Sequence, residues 1–485
     1  MPTGTAAPEA RTTLVALVWN YSSAIAATVI QICYTAYTAR VVLPDSFGAF
    51  AAAGAATTIL GYVAGAGLAT YLLRAEQLTR QTVRTAYLVS VASGVLCCLA
   101  TQAVAPLSVT VWGLPEMEPL VQLYGLYFLT QPASLVAVAA LRRLDHARFC
   151  ALTETAAQFV GMATGAVLLA MGWSPYGLVI AQVVAPTVTL AAAALRLARC
   201  PVPQGPRVPA RAMLGLSGAF AGYGMIQVTT TDVSLWAVAR FLGPGAAGQF
   251  SRAYLMVSLV VALLCQSLRR AVMPSLARIN GEGRTLGNAL PDVLSAASAI
   301  AFISFGMMAG VGPAALQLLM GPGWERAGAL VTVFALGAPL MLLCGFSYAA
   351  DEIGRALGSL LRTQLLVLAA TVGLVAVVVA TTRSLALISA AMSAAAGVGH
   401  LAQLVRWHRT GLCPLPSLVR PYLVHAAVGA ALFGSGYLAA GYGTGPLSQV
   451  LHGMLGMVPV ALVCVAARRR LPLYSAAVSR GLVTG

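Results

Sequence analysis

Fourteen long apolar runs, divided by short spacers, dominate the 485-residue chain. About 20 consecutive apolar residues cross the hydrocarbon core of a bilayer as a helix. The first run covers 13–38 and the last 446–467; others include 85–105, 213–239, 249–272, 290–312 and 327–349. Charged residues make up 9% and hydrophobic ones 59%, with a mean hydropathy of +0.84. A soluble domain carries about 25% charged residues. The chain therefore has lipid as its solvent. Backbone groups in lipid must be satisfied within the segment, so the expected class is an all-α polytopic membrane protein. The first run has no small-residue cleavage site after a short apolar core and reads as a retained helix rather than a removed signal. Asn20-Tyr-Ser22 fits a glycosylation pattern but falls inside that helix.

The formal net charge is +16, carried by 29 basic residues that are all Arg. Nucleic acid is excluded as a partner, because these residues sit in the spacers and form no aromatic-interleaved patch. With the N-terminus inside, 24 arginines fall on the inner side and five outside (Arg40, Arg240, Arg252, Arg326, Arg383). The positive-inside rule then places both termini in the cytoplasm, and one extra or missing helix would scramble the alternation. The nine cysteines are scattered, with no CxxC and no metal-like spacing to His, and read as buried free thiols. The spacers leave no room for a soluble catalytic domain, so no enzyme activity is expected.

An internal echo organises the runs. Arg40-Val-Val-Leu-Pro44-Asp-Ser-Phe-Gly48-Ala-Phe50 returns as Arg240-Phe-Leu-Gly-Pro244-Gly-Ala-Ala-Gly248-Gln-Phe250, after the first and seventh runs. Both runs point the same way across the membrane, so the copies are parallel repeats. The expected division is an N-terminal six-helix lobe over 1–211, a C-terminal six-helix lobe over 212–405, and helices 13 and 14 with a cytoplasmic tail over 406–485. A weaker echo relates Pro106–Pro119 to Pro313–Arg326.

Charged side chains inside a membrane are costly and face protein or water. Asp232, closing the polar run Gln227-Val-Thr-Thr-Thr-Asp232, is the clearest case. Glu154, Gln158, Gly161 and Gly165 share one helix face, and Asn20, Ala24, Ala27, Gln31, Tyr34 and Thr38 form a small and polar stripe on helix 1. These faces either line a polar cavity or pack helix against helix. Gly61-x-x-x-Gly65, Gly161-x-x-x-Gly165, Gly218-x-x-x-Gly222 and Gly306-x-x-x-Gly310 read as packing motifs. Arg252 either faces a cavity or anchors at the interface, and Glu154 either lines a cavity or pairs with Arg148. His400, His425 and His452 read as packing or interfacial residues.

Four strings resemble a known family: Arg240-Phe-Leu-Gly-Pro-Gly-Ala-Ala-Gly-Gln-Phe-Ser-Arg-Ala-Tyr254, Met320-Gly-Pro-Gly-Trp324, Arg142-Arg-Leu-Asp-His-Ala-Arg-Phe149 and Ser267-Leu-Arg-Arg-Ala-Val-Met-Pro-Ser-Leu-Ala-Arg278. With the helix count and the duplication, they are similar to Wzx-like polysaccharide or oligosaccharide flippases of the multidrug/oligosaccharidyl-lipid/polysaccharide (MOP) exporter superfamily. The resemblance implies a MATE-like, V-shaped pair of six-helix lobes working by alternating access. It implies an undecaprenyl-diphosphate-linked oligosaccharide as substrate, moved across a bacterial cytoplasmic membrane for polysaccharide export. Implied partners are membrane lipids and a glycan polymerase or glycosyltransferases, with the transporter itself a monomer.

Asn20, Gln31, Arg40, Glu154, Gln158, Gln227, Asp232, Arg240 and Arg252 are the cavity and substrate candidates; Arg269 and Arg270 are further phosphate candidates. Tyr34, Tyr124, Tyr127, Tyr223 and Trp236 are able to stack on sugars or to pack helices. No catalytic residue, metal or cofactor is expected, and proton or sodium coupling stays open. The alternatives are a cation-coupled drug or small-molecule antiporter and a peptidoglycan-precursor flippase of the same superfamily.

Overall fold

A computed structural model describes residues 26–75, 77–206, 209–281, 290–353 and 357–467, with backbone alone described at 66, 212, 214–221, 273–281, 352–353 and 357. The described residues form fourteen helices and no strand. They are α1 (26–41), α2 (Pro44–Arg74), α3 (Arg80–Trp112), α4 (Met117–Arg143), α5 (Ala147–Ala170), α6 (Tyr176–Ala198) and α7 (Ala210–Phe241). Then follow α8 (Pro244–Gly281), α9 (Leu290–Met320), α10 (Glu325–Ile353), α11 (Leu357–Thr381), α12 (Leu385–Arg409), α13 (Leu415–Ala440) and α14 (Pro446–Ala466). Twelve of them carry windows long and apolar enough to cross a membrane. The chain is a multi-pass membrane protein.

Two expected helix ends are corrected. The third and ninth apolar runs end at 105 and 312 in the sequence, just before Pro106 and Pro313. Both prolines instead lie inside helices, which run on to Trp112 and Met320. A proline costs one intrahelical bond, and in a membrane helix neighbouring groups and local adjustment absorb that loss. α3 ends where Gly113 takes a left-handed conformation (φ 70°) and returns its N–H to Val109 O.

The chain divides into two compact units. One contains the described residues through Asp232 together with Gly243–Gly248; the other contains Val233–Leu242 and the residues from Gln249 onward. The dividing point therefore falls within α7, some 20 residues beyond the 211/212 boundary read from the sequence. Within the first unit the main pairings are α3 with α4, α4 with α6, and α5 with α6. Within the second they are α9 with α10, α10 with α12, and α11 with α12. The same pairings thus recur six helices later. α13 and α14 pack on each other and on α9.

Apolar side chains gain little by leaving lipid for another helix, so close packing of small residues has to hold the bundle. A Cβ on Gly161 would sit 2.6 Å from Ala181 O, and one on Gly306 2.3 Å from Gly429 O. These glycines bring α5 against α6 and α9 against α13. Leu88, Leu96, Leu99 and Leu107 on α3, and Leu455 and Leu462 on α14, point outward, as lipid-facing side chains do. All nine cysteines are free thiols. Burial pushes the thiol of Cys413, in the α12–α13 turn, up to about 11, which keeps it protonated and unreactive.

The echo acquires a structural meaning at its Pro, Gly and Phe positions. Pro44 and Pro244 are the first residues of α2 and α8, where a missing N–H costs nothing. Phe50 packs against Tyr124 of α4 in a tilted contact with ring centroids 6.0 Å apart, and Phe250 meets Phe334 of α10 edge to face at 5.3 Å. Gly48 and Gly248 make a reciprocal contact inside the first unit. A Cβ on Gly48 would lie 1.7 Å from Pro244 O, and one on Gly248 2.0 Å from Pro44 O. Each copy's glycine thus receives the other copy's proline carbonyl. Arg40 and Arg240 are both exposed.

Gly48→Ala should therefore lower stability by about 1–3 kcal/mol, because the obstructing atoms are backbone. Thermal melting in detergent checks this against Gly373→Ala, where a Cβ meets nothing within 4 Å. The expected result is a clear drop for the first variant and none for the second; equal melting temperatures would contradict the contact.

Candidate functional site

The first unit contains a cavity of about 500 Å³. Its α2 wall is Gly54, Thr57, Thr58, Gly61, Tyr62 and Gly65, residues three or four apart that share one helix face. Small residues there leave room for the bulky residues of α4: a Cβ on Gly54 would stand 3.0 Å from the Tyr124 hydroxyl, and one on Gly61 3.6 Å from Phe128. The other walls are Tyr124, Tyr127, Phe128, Gln131, Pro132 and Leu135 of α4 and Gln182 of α6. None of these lining residues carries a charge. The volume lies in the range of small-ligand pockets, about 300–1,000 Å³.

Asp232 adjoins this cavity through two of its lining residues. The Thr58 hydroxyl is 2.8 Å from Gly54 O and also within hydrogen-bonding reach of the Asp232 carboxylate. The Tyr62 phenol lies in the electrostatic field of the same carboxylate, and its ring fits against Gly224 of α7, where a Cβ would come 2.3 Å from it. Asp232 Oδ2 is buried with no hydrogen-bond partner among the described residues. The preceding threonines are self-satisfied: Thr229, Thr230 and Thr231 donate to Met225 O, Ile226 O and Gln227 O of their own helix. The site therefore offers aromatic faces, neutral amides and hydroxyls, and one carboxylate oxygen free to accept.

A profile of the polysaccharide biosynthesis protein family matches residues 38–328. The chain belongs to the polysaccharide biosynthesis protein family. The succinoglycan biosynthesis transport protein ExoT of Rhizobium meliloti (strain 1021) is 24% identical over 309 residues, 63% of this chain. That alignment spans 62% of the relative's own length. Among solved structures, the lipid II flippase MurJ in an inward closed conformation matches with a TM-score of 0.73 at 13% identity, covering 93% of this chain and 99% of that one. An inward-facing multidrug resistance MATE family transporter of the MOP superfamily matches with a TM-score of 0.64 at 14% identity, covering 80% and 94%. At these identities the likeness establishes the MurJ/MATE-like fold.

The remaining sequence candidates of this family member do not converge on one place. Gln31 and Gln158 meet, with Gln158 Nε2 donating to Gln31 Oε1 at 3.4 Å. Gln31 Nε2 in turn donates to Thr35 at 3.4 Å. Tyr34 lies against Gly165, and the Tyr37 hydroxyl donates to Ala166 O. The helix 1 stripe thus packs on the α5 face. Glu154 pairs with Arg142 at 2.6 Å, both partly exposed, whereas the sequence suggested Arg148. Arg142 lies in the last turn of α4 and Glu154 two turns into α5, so the turn between those helices brings them together. Gln227 and Arg40 are exposed, Arg240 lies over its neighbour Phe241, and Arg252 is half-buried near the start of α8. Asn20 lies outside the described residues.

Sequence reasoning missed a buried polar cluster in the second unit. Asp351 is 3% exposed and accepts from Gln403 Nε2 at 3.0 Å, from Trp407 Nε1 at 3.1 Å and from Arg406. Two turns of the same pair of helices join there. Ser347, four residues before Asp351, meets His400 Nδ1 at 3.1 Å, and His400 Nε2 meets the Tyr422 hydroxyl at 3.0 Å. His425 meets Ser298 at 2.8 Å. The signal was the i, i+3, i+7 spacing of His400, Gln403 and Trp407, opposite Ser347 and Asp351. It went unread because run 10 was ended at 349.

Removing one partner of a buried pair leaves an uncompensated charge, worth about 3–5 kcal/mol. Asp351→Asn should therefore destabilise the protein by at least the lower figure, read by thermal melting. Asp145→Asn, at an exposed turn residue before α5, should leave the melting temperature unchanged. A shift for Asp351→Asn as small as that control would remove the cluster's structural role.

Proposed function

We propose that this chain is an alternating-access flippase. It moves an undecaprenyl-diphosphate-linked oligosaccharide from the inner to the outer leaflet of the bacterial cytoplasmic membrane for polysaccharide export. The observation that carries this reading is an uncharged, tyrosine- and glutamine-lined cavity among membrane-spanning helices. A diphosphate-sugar headgroup cannot cross hydrocarbon unaided, whereas its polyprenyl tail stays in lipid throughout. A cavity with aromatic faces and neutral hydrogen-bonding groups replaces water around the sugars as they cross. Both termini are cytoplasmic in this reading, the transporter works as a monomer, and a polymerase or glycosyltransferases supply and consume its cargo.

The likeness to MurJ and to MATE transporters supports two alternatives, a peptidoglycan-precursor flippase and a cation-coupled antiporter. The family match over residues 38–328 favours the glycan reading. In a coupled cycle Asp232 is the carboxylate available to a proton or sodium ion, because Glu154 and Asp351 are held by Arg142 and Arg406.

Asp232→Asn should cut glycan export about tenfold, the effect of losing ~1.4 kcal/mol of interaction, at unchanged protein abundance. Export is read as cell-surface polysaccharide, and normal export would remove Asp232 from the mechanism. In a cysteine-free background, Asp45→Cys should react with an impermeant maleimide from outside the cell and Asp145→Cys only after permeabilisation. The reverse pattern would overturn the orientation.

A further inference from the structure

We infer that the cavity between α2, α4 and α6 is a glycosyl subsite that selects by charge, taking a neutral or amino-bearing sugar ring and refusing a uronic acid or the diphosphate. This rests on the flippase reading and specifies what that cargo presents to the protein. Tyr62, Tyr124 and Tyr127 supply ring faces, and Gln131 and Gln182, from two different helices, supply amides that both donate and accept. Sugar hydroxyls need that mixture, and an aromatic face suits the C–H side of a pyranose.

The charge selection follows from what surrounds the ring. Of the described lining residues none is cationic. The charged group adjoining them is Asp232, reached through Thr58 and Tyr62. Its buried Oδ2 lacks a donor among the described residues and accepts a hydrogen bond from a hydroxyl or an ammonium group. Wherever Asp232 is ionised, a bound carboxylate or phosphate would instead meet a like charge with no counter-ion among the described lining residues, and low dielectric strengthens that repulsion. The diphosphate of the cargo therefore stays outside this cavity while the sugar occupies it.

Binding of three probes to the purified full-length protein in nanodiscs at pH 8 tests the inference: methyl β-glucoside, glucosamine and glucuronate, followed by saturation-transfer NMR and calorimetry. The expected order places glucoside and glucosamine together and glucuronate at least ~tenfold weaker. Asp232→Asn should close most of that gap, and Gln131→Leu should weaken all three probes. The wild-type comparison needs no variant, so it stands even if a substitution prevents insertion. Equal binding of glucuronate and glucoside by the wild type would overturn the inference, as would a gap that persists in Asp232→Asn, or binding of none of the probes. Cell-surface export by the same strains separates the two levels: normal export without sugar binding in the cavity rejects the subsite and leaves the flippase standing. Loss of sodium-ion binding as the sole effect of Asp232→Asn would likewise reject it in favour of a cation site.

Discussion

In hydrocarbon no water completes an unmade hydrogen bond, and nearly every polar feature of this protein follows from that constraint. The backbone is satisfied inside fourteen helices. Threonines along α7 return their hydroxyl protons to their own helix. Glutamines pair across α1 and α5, Asp351 collects three donors, and His400 sits between two hydroxyls. Asp232 Oδ2 is one of several buried polar atoms with no hydrogen-bond partner among the described residues, and it is the carboxylate oxygen among them. Its place beside the cavity makes it the candidate functional carboxylate.

The same constraint explains how the duplicated unit is used. With little hydrophobic drive between helices in lipid, contacts depend on how closely backbones approach. The Pro-x-x-x-Gly element meets its own copy in the tightest way, glycine to proline carbonyl in both directions. Its phenylalanines each brace the fourth helix of their repeat. The pairings α3–α4, α4–α6 and α5–α6 then reappear as α9–α10, α10–α12 and α11–α12. α13 and α14 have no counterpart among these pairings and lean on α9.

The helix count was legible because each span must be long and apolar, a local property. The echo was legible because Pro, Gly and Phe each do one fixed job at one fixed spacing. Helix ends were less so: Pro106 and Pro313 mark soluble-protein helix boundaries but sit inside membrane helices. Ion pairing depends on tertiary approach: the sequence offers Arg148 as one partner for Glu154, which pairs with Arg142, and a run ending at 349 stops short of Asp351. Tyr124 and Tyr127 were named as sugar-stacking candidates and do line the cavity, while Thr58, Tyr62, Gln131 and Gln182 were not singled out. A cavity belongs to three helices at once, and no single helix's periodicity reveals which faces converge.

The chain belongs to the polysaccharide biosynthesis protein family and has a MurJ/MATE-like fold; the central proposal is that it flips a lipid-linked glycan. Purified protein in liposomes holding a fluorescent undecaprenyl-diphosphate-linked oligosaccharide tests it most directly, with an impermeant reductant added outside. Flipping predicts that the reductant eventually quenches nearly all the fluorescence in protein-containing vesicles and only the outer-leaflet share in empty ones. Equal quenching in both would contradict the account.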